Sequence, residues 1–410
     1  MKIVYTVIII LFASTLSAQS IDFAYRDSIL NKRSIQVSAI NTFTTNSINN
    51  ELLGKFIYGG QIGTELITNN GQKKFNVLGG EFEQSISYFE GSFLPSKPAV
   101  GLVVSVSDQH FASASFKPDI YNLAFRGNTP YLDDTLDFSY AHGQYLHYQN
   151  YSVGVYDKRT QSYVKLGFLV GNESINYRLG NSIFHTSSDG NDLFLQADMS
   201  GFNTKNDSSD SYFTAKGYGF ALEINHNFII NSKSGKQHIV NFNLSNLGSI
   251  FWGNSTQNRQ IDTTYLYNGF NYSNINNIGE LNTAILADSL NINTYTSARR
   301  EALPIQIIIN KTPVYSLTQK WQSLFGFKAL LIPDYRPMVF GGVYFQPNDF
   351  FSVSTRAIIG GYGGLRFGLN ANLWLKENFF IGLSTLNVIG VSSNTIGKGT
   401  SANISLQYNF

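Results

Sequence analysis

The last nine residues constrain the fold most. Ala402, Ile404, Leu406, Tyr408 and Phe410 alternate with Asn403, Ser405, Gln407 and Asn409. One set is apolar and grows larger toward the end, and the other is wholly polar. This period-two pattern specifies a strand with one apolar and one polar face. The apolar face ends in two aromatics, as a lipid-facing strand does where it meets the membrane interface.

The opening residues agree with export. Lys2 precedes an apolar stretch from Ile3 to Leu16, and Ala18–Gln19 offers a small residue for cleavage. Residues 1–18 read as a secretory signal peptide, with residues 19–410 as one mature domain. The stretch is short for a spanning helix, which needs ~20 apolar residues. No later apolar run is longer. The chain has no cysteine, so neither a lipid-anchored cysteine nor a disulfide is available.

Charged residues make up only 14% of the chain, aromatics another 14%, and there are 36 glycines. Ordinary soluble domains carry roughly 25% charge. Low charge without long apolar runs suits strands that show one face to lipid and line a lumen with Asn, Ser, Gln and Gly. The net charge of +2 gives no footing for nucleic acid. At ~10 membrane residues per strand, the length fits an all-β, transmembrane antiparallel barrel of about 14 strands.

The alternation is clearest late in the chain. Phe351, Val353, Thr355, Ala357 and Ile359 lie on one face, and Leu365, Phe367, Leu369, Ala371, Leu373 and Leu375 continue it after a Gly-Tyr-Gly turn. Counting turns back from the end places Lys376–Asn378 and Gln346–Asp349 on the periplasmic side. Pro333–Pro337, Gly360–Gly364 and Ser392–Thr400 become outer loops. Asn254–Ala302 then becomes a long extracellular loop, with Leu281, Ile285, Leu286 and Leu290 at helical spacing inside it.

Two candidate sites follow. Arg356 and Arg366 lie on the polar faces of adjacent strands. Keeping both apolar faces outward makes their pairing sum even, so they sit opposite or one diagonal step apart, within ~8 Å. They need a counter-charge, which either wall carboxylates or an anionic solute would supply. The second candidate is Leu52–Asn76, whose Leu52, Leu53, Phe56 and Ile57 follow helical spacing. It forms either an irregular first hairpin or a lumen plug, with Gly54, Phe56, Gly59 and Gly60 in its tight path. The six histidines make no zinc-binding sequence pattern, no phosphate-binding loop is present, and nothing selects a catalytic pair. The expectation is therefore no metal, no cofactor and no enzyme.

The order of "LLGKFIYGGQIGTEL" at Leu52–Leu66, "NFNLSNLGSIFWG" at Asn241–Gly253, "LPIQI" at Leu303–Ile307 and a final "GGYGGLRFGLNANL" resembles a family of Bacteroidota outer-membrane proteins of unknown function. That family is similar to long-chain fatty-acid transporter (FadL-like) and PorV-type barrels. The resemblance implies a cell outer-membrane location and lipid contact. It also implies insertion by the barrel-assembly machinery, which reads a terminal aromatic. The plug, too, would match the one in fatty-acid transporters. The expected role is uptake or binding of a small hydrophobic or amphipathic solute. The alternative is a non-transporting barrel that docks a secretion-system or other outer-membrane partner.

Overall fold

The computed structural model describes residues 33–91, 96, 99–205, 210–232, 236–267, 292–316, 318–375 and 378–410. Fourteen strands form the wall: β1 (Ser34–Thr45), β2 (Asn76–Glu90), β3 (Val100–Phe116), β5 (His142–Asp157), β6 (Ser162–Leu179), β9 (Gly217–Asn231), β10 (Gln237–Trp252), β14 (Ile305–Thr312), β15 (Trp321–Leu331), β16 (Arg336–Phe345), β17 (Phe351–Gly361), β18 (Arg366–Leu375), β19 (Phe379–Thr385) and β20 (Gly399–Asn409). Each pairs antiparallel with the next in this order. β1 closes the ring, pairing with β2 on one side and β20 on the other, so that Ser34 faces both Phe89 and Asn409. No helix among the described residues is long and apolar enough to cross a membrane.

The period-two sequence pattern becomes the two faces of this wall. Val104, Val106, Val153, Val155, Leu166 and Phe168 point outward and are exposed, while Ser105, Ser107 and Ser152 point inward and are buried. In water such an exterior would be a large exposed apolar patch. Around a closed barrel it is the lipid-facing band. At the barrel end holding the first residues of β1 and the last of β20, Tyr408 and Phe410 stack at 5.9 Å. Trp321 stacks on Phe345 at 4.2 Å at the same end. This is an interfacial aromatic girdle, as the final strand's pattern specifies.

The wall is uneven. β2, β3, β5, β6, β9 and β10 run 15 to 18 residues, whereas β15 to β20 run 7 to 11. A membrane crossing needs ~9–11. The tall side therefore projects beyond it and carries a small added sheet of β4 (Thr135–Asp137), β7 (Ile183–Thr186), β8 (Leu193–Asn203), β11 (Gln257–Tyr267) and β12 (Asn293–Thr296). β8 pairs with the top of β6, and β11 continues the sheet from β8. β13 (Arg299–Ala302) extends the pairing of β14 along β10. Among its described residues, Asn254–Ala302 thus contains three strands, at the end opposite Ser34 and Asn409. The helical spacing at Leu281–Leu290 lies outside the described residues, as does the segment 1–18 read as a signal peptide.

Segment 52–76 carries two short helices, the first over the residues whose spacing indicates one, and it stands at the rim. It holds α1 (Asn50–Tyr58) and α2 (Thr64–Asn69), in the connection between β1 and β2. The Asn49 side chain caps α1 by accepting from Leu52 N, and Gly59 ends it at φ 79°. Leu52, Ile48 and Tyr121 form a small core with Leu66, Ile67 and Phe125, which joins these helices to α3 (Pro118–Arg126). The Tyr121 ring lies on Gly71 so closely that a Cβ there would sit 2.3 Å from it. Asn50 ties α1 to the loop between β19 and β20, donating to Gly390 O at 2.7 Å and accepting from Gly399 N at 2.6 Å. The helices cap the seam where the barrel closes.

Candidate functional site

Inward-facing side chains divide the barrel interior. A chamber of about 280 Å³ is lined on one side by Ser105, Ser107, Asn241, Asn243 and Asn310, and on another by Met338, Leu386, Tyr335 and Tyr362. A second cavity of about 520 Å³ opens at the loop end. Between them lies an apolar cluster built from the tall wall, including Phe111, Leu146, Tyr148, Leu169, Ile250 and Trp252. Tyr335 touches this cluster from the chamber side, and Phe111 and Leu146 border the outer cavity. The cluster is a septum made by the wall itself.

Glycines make the septum possible. A Cβ on Gly171 or Gly217 would meet the Trp252 ring at 2.6 and 2.8 Å, so the indole lies flat on bare backbone. Its Nε1 donates to Glu301 Oε2 at 2.8 Å. Tyr362 uses Gly79 in the same way, at 2.4 Å. Tyr335 meets Tyr362 edge-on at 5.1 Å, which carries the aromatic layer across from the short wall.

The chamber contains four cations, Lys165, Lys328, Arg356 and Arg366, and three carboxylates, Glu81, Glu83 and Glu223. Lys165 Nζ lies 2.9 Å from Glu223 Oε2, its direct partner on the neighbouring strand. Lys328 Nζ lies 2.6 Å from Glu81 Oε2. β15 and β2 are seven strands apart in either direction round the ring, so this pair spans the lumen.

Arg356 and Arg366 both face the chamber and are buried. Arg356 pairs with Gly368, and Arg366 with Ile358, which is the diagonal step, one of the two placements the even register allows. Their surroundings differ. Arg366 Nη1 donates to Gly360 O at 2.8 Å and so clamps its own turn. Arg356 lies over the Phe340 ring at 5.6 Å. The plug candidates Gly54, Phe56, Gly59 and Gly60 are not among the residues lining the chamber, and Phe56 is 54% exposed. Their apolar neighbours are used against α3 instead.

Sequence reasoning missed two features. The outer cavity carries Arg178, Arg259, Arg299 and Arg300 against one carboxylate, Glu301, among the described lining residues. Three come from strands of the added sheet or its flank, so no linear motif collects them. The other is a cluster on the outside of the tall wall, where Asp108, His110 and His147 converge.

A closed, 14-stranded antiparallel ring with an apolar exterior and a polar interior is the fold of an outer-membrane β-barrel. Residues 20–384 match the Family of unknown function (DUF5723), and the chain belongs to it. No curated protein matches the sequence. Among solved structures, the chain is similar to a mutant of the TodX monoaromatic hydrocarbon channel, with 8% identity, a TM-score of 0.43, and 97% of this chain and 96% of that one covered. It is similar also to a Pseudomonas aeruginosa FadL homologue, with 9% identity, a TM-score of 0.39, and 94% and 92% covered. With the Bordetella autotransporter BrkA β domain, identity is 6%, the TM-score is 0.28, and 92% and 98% are covered. At such values the fold rests on the chain's own strand pairing.

Proposed function

We propose that this protein is an outer-membrane binder or channel for a small amphipathic solute, without enzymatic activity. The observation that supports this is the two-sided chamber. Asn241, Asn243 and Asn310 offer hydrogen bonds along one wall, while Met338, Leu386, Tyr335 and Tyr362 offer apolar contact along another. Asn241 already donates to Asn225 and Asn227, and Asn310 to Thr312, but a purely apolar solute would strip water from whatever hydrogen-bonding capacity the wall still offers, at a cost of ~1–3 kcal/mol for each buried group. A purely polar one would gain little from the short wall. The arginine-rich outer cavity favours an acidic group on the solute, drawn in by its field before it meets the septum.

The test is a native mass spectrum of protein extracted from its own membranes, paired with uptake by proteoliposomes. A co-purified amphiphile that Asn243→Leu displaces agrees with this reading. An intact barrel that carries no ligand and takes up no amphiphile contradicts it and favours the docking role.

A further inference from the structure

The outer face of the tall wall holds a group of side chains that lipid contact alone would not select. On β3 the outward positions run Val104, Val106, Asp108, His110; on β5 they run Val153, Tyr151, Gln149, His147, Tyr145. Toward the loop end, the apolar band therefore gives way abruptly to a carboxylate and two imidazoles. His110 and His147 are direct partners across the strands, and their rings stack at 4.0 Å and 9°. Both are buried, at 5% and 3% exposure, with the Tyr212 ring 4.6 Å from His147.

Both imidazoles aim Nε2 at the same carboxylate. His147 Nε2 is 2.9 Å from Asp108 Oδ1, and His110 Nε2 is 3.3 Å from Oδ2. Tyr212 donates to Oδ2 at 2.6 Å. The His110 Nδ1 atom is engaged separately, 2.9 Å from the Tyr145 hydroxyl. The His110 Nε2 atom also lies 2.8 Å from the Tyr212 hydroxyl, which an entering ion must displace. His110 otherwise matches the arrangement around metal-ligating histidines, with one ring nitrogen on an outer partner and the other facing the donor set. In the tautomer whose Nδ1–H donates to Tyr145 Oη, the Nε2 lone pair is the one an ion would take. The three donor atoms lie within 4.8 Å of one another. Zinc bonds of ~2.0–2.1 Å to nitrogen and oxygen set neighbouring donors about 3.4 Å apart in a tetrahedron, so binding draws the donors together and requires the two rings to tilt out of their 9° stack until both Nε2 lone pairs converge on the ion.

We propose that Asp108, His110 and His147 bind one divalent transition metal ion of the borderline class, such as Zn²⁺ or Cu²⁺, on the outer wall of the barrel. Two imidazoles and one carboxylate suit that class over Mg²⁺ or Ca²⁺, which prefer all-oxygen sites. Tyr145 is a positioning residue that orients His110. The ion ties β3 to β5 just where the tall wall leaves the lipid band. This site is separate from the chamber and does not depend on what the lumen carries.

The experiment uses the full chain purified in detergent, stripped with chelator and titrated with Zn²⁺ in a calorimeter. One equivalent should bind. His147→Ala and His110→Ala should each weaken binding by more than about 100-fold, and Tyr145→Phe by about 10- to 100-fold, the range for outer partners. Heat-modifiable gel mobility establishes that each variant barrel is closed. The unaltered protein gives a second readout, since bound Cu²⁺ should show an electron paramagnetic resonance signal split by two nitrogens. Absence of stoichiometric Zn²⁺ binding, binding unchanged in His147→Ala, or a copper signal without nitrogen coupling would each overturn the proposal. The cluster would then be only a hydrogen-bonded latch for Tyr212.

Discussion

Lys328 and Glu81 meet at 2.6 Å although their strands stand half a barrel apart. An ion pair between neighbouring strands fixes local register. This one fixes the distance between opposite walls, and it does so beside Glu83 and the Lys165–Glu223 pair.

Removing one partner should therefore harm the barrel more than removing both. Each charge left alone in a buried lumen carries its desolvation cost, roughly 3–5 kcal/mol for a broken buried pair. Lys328→Met and Glu81→Gln should each lower the unfolding midpoint in urea, and the double variant should recover much of the loss. Strictly additive effects would show that the crossbar contributes no coupling.

The septum should be the conductance barrier. Trp252→Ala removes a fully buried indole and leaves a gap beside Gly171 and Gly217. The expected cost is about 3–5 kcal/mol of stability, with a step up in single-channel current across planar bilayers. Excision of Gly54–Ile67 should raise the current far less, because α1 and α2 stand at the rim. The opposite ranking would place the seal in the helices.

Acid should loosen the loop that carries Tyr335. Burial alone would raise the Asp334 carboxyl. The facing His142 and Ser115 side chains and the nearby Arg178 charge outweigh burial and hold it below its ordinary value. Asp334 Oδ2 lies 3.4 Å from His142 Nδ1, in ion-pair range but long for a hydrogen bond. A depressed carboxylate stabilises the fold fully above its unfolded value of about 3.9 and loses that contribution as pH falls through the lower folded value. Asp334→Asn should thus destabilise the protein at neutral pH, and the difference from the unaltered chain should vanish once the pH has fallen through the lowered folded value. A gap that persists in strong acid would mean the carboxylate is not the cause.

The tall side should face outward from the cell. An epitope placed in the turn at Asn254–Ser255, beside β10 and β11, should be accessible to antibody on intact cells. Labelling that needs permeabilised cells would invert the sidedness.

The final strand's alternation and the even register of Arg356 and Arg366 were legible in the sequence. A two-residue period on either side of a short turn leaves few pairings open. What Arg366 does was not, since its partners are carbonyls of the turn itself and the Met338 sulfur on β16. The His110–His147 pair was hidden for a different reason. A connection containing α3 and β4 separates their strands, so no spacing rule sets the register that makes them partners. The helices at 50–69 show a third limit: Leu52, Leu53, Phe56 and Ile57 reveal an amphipathic helix, but only the fold shows that its apolar face meets Tyr121.

Closure through β1 also imposes an order in time. β1 is made first among the wall strands, and β20 last, yet each is the other's neighbour. Until β20 is made, β1 has a bare edge of unpaired amides and carbonyls, an invitation to pair with another chain. Hairpins such as β2–β3 and β17–β18 can form locally and early, but the final seam must wait for contacts of nearly the longest possible sequence separation, which are slow to find unaided. A protein built this way depends on some guardian of its first strand throughout synthesis. Its most vulnerable state is the nearly finished barrel.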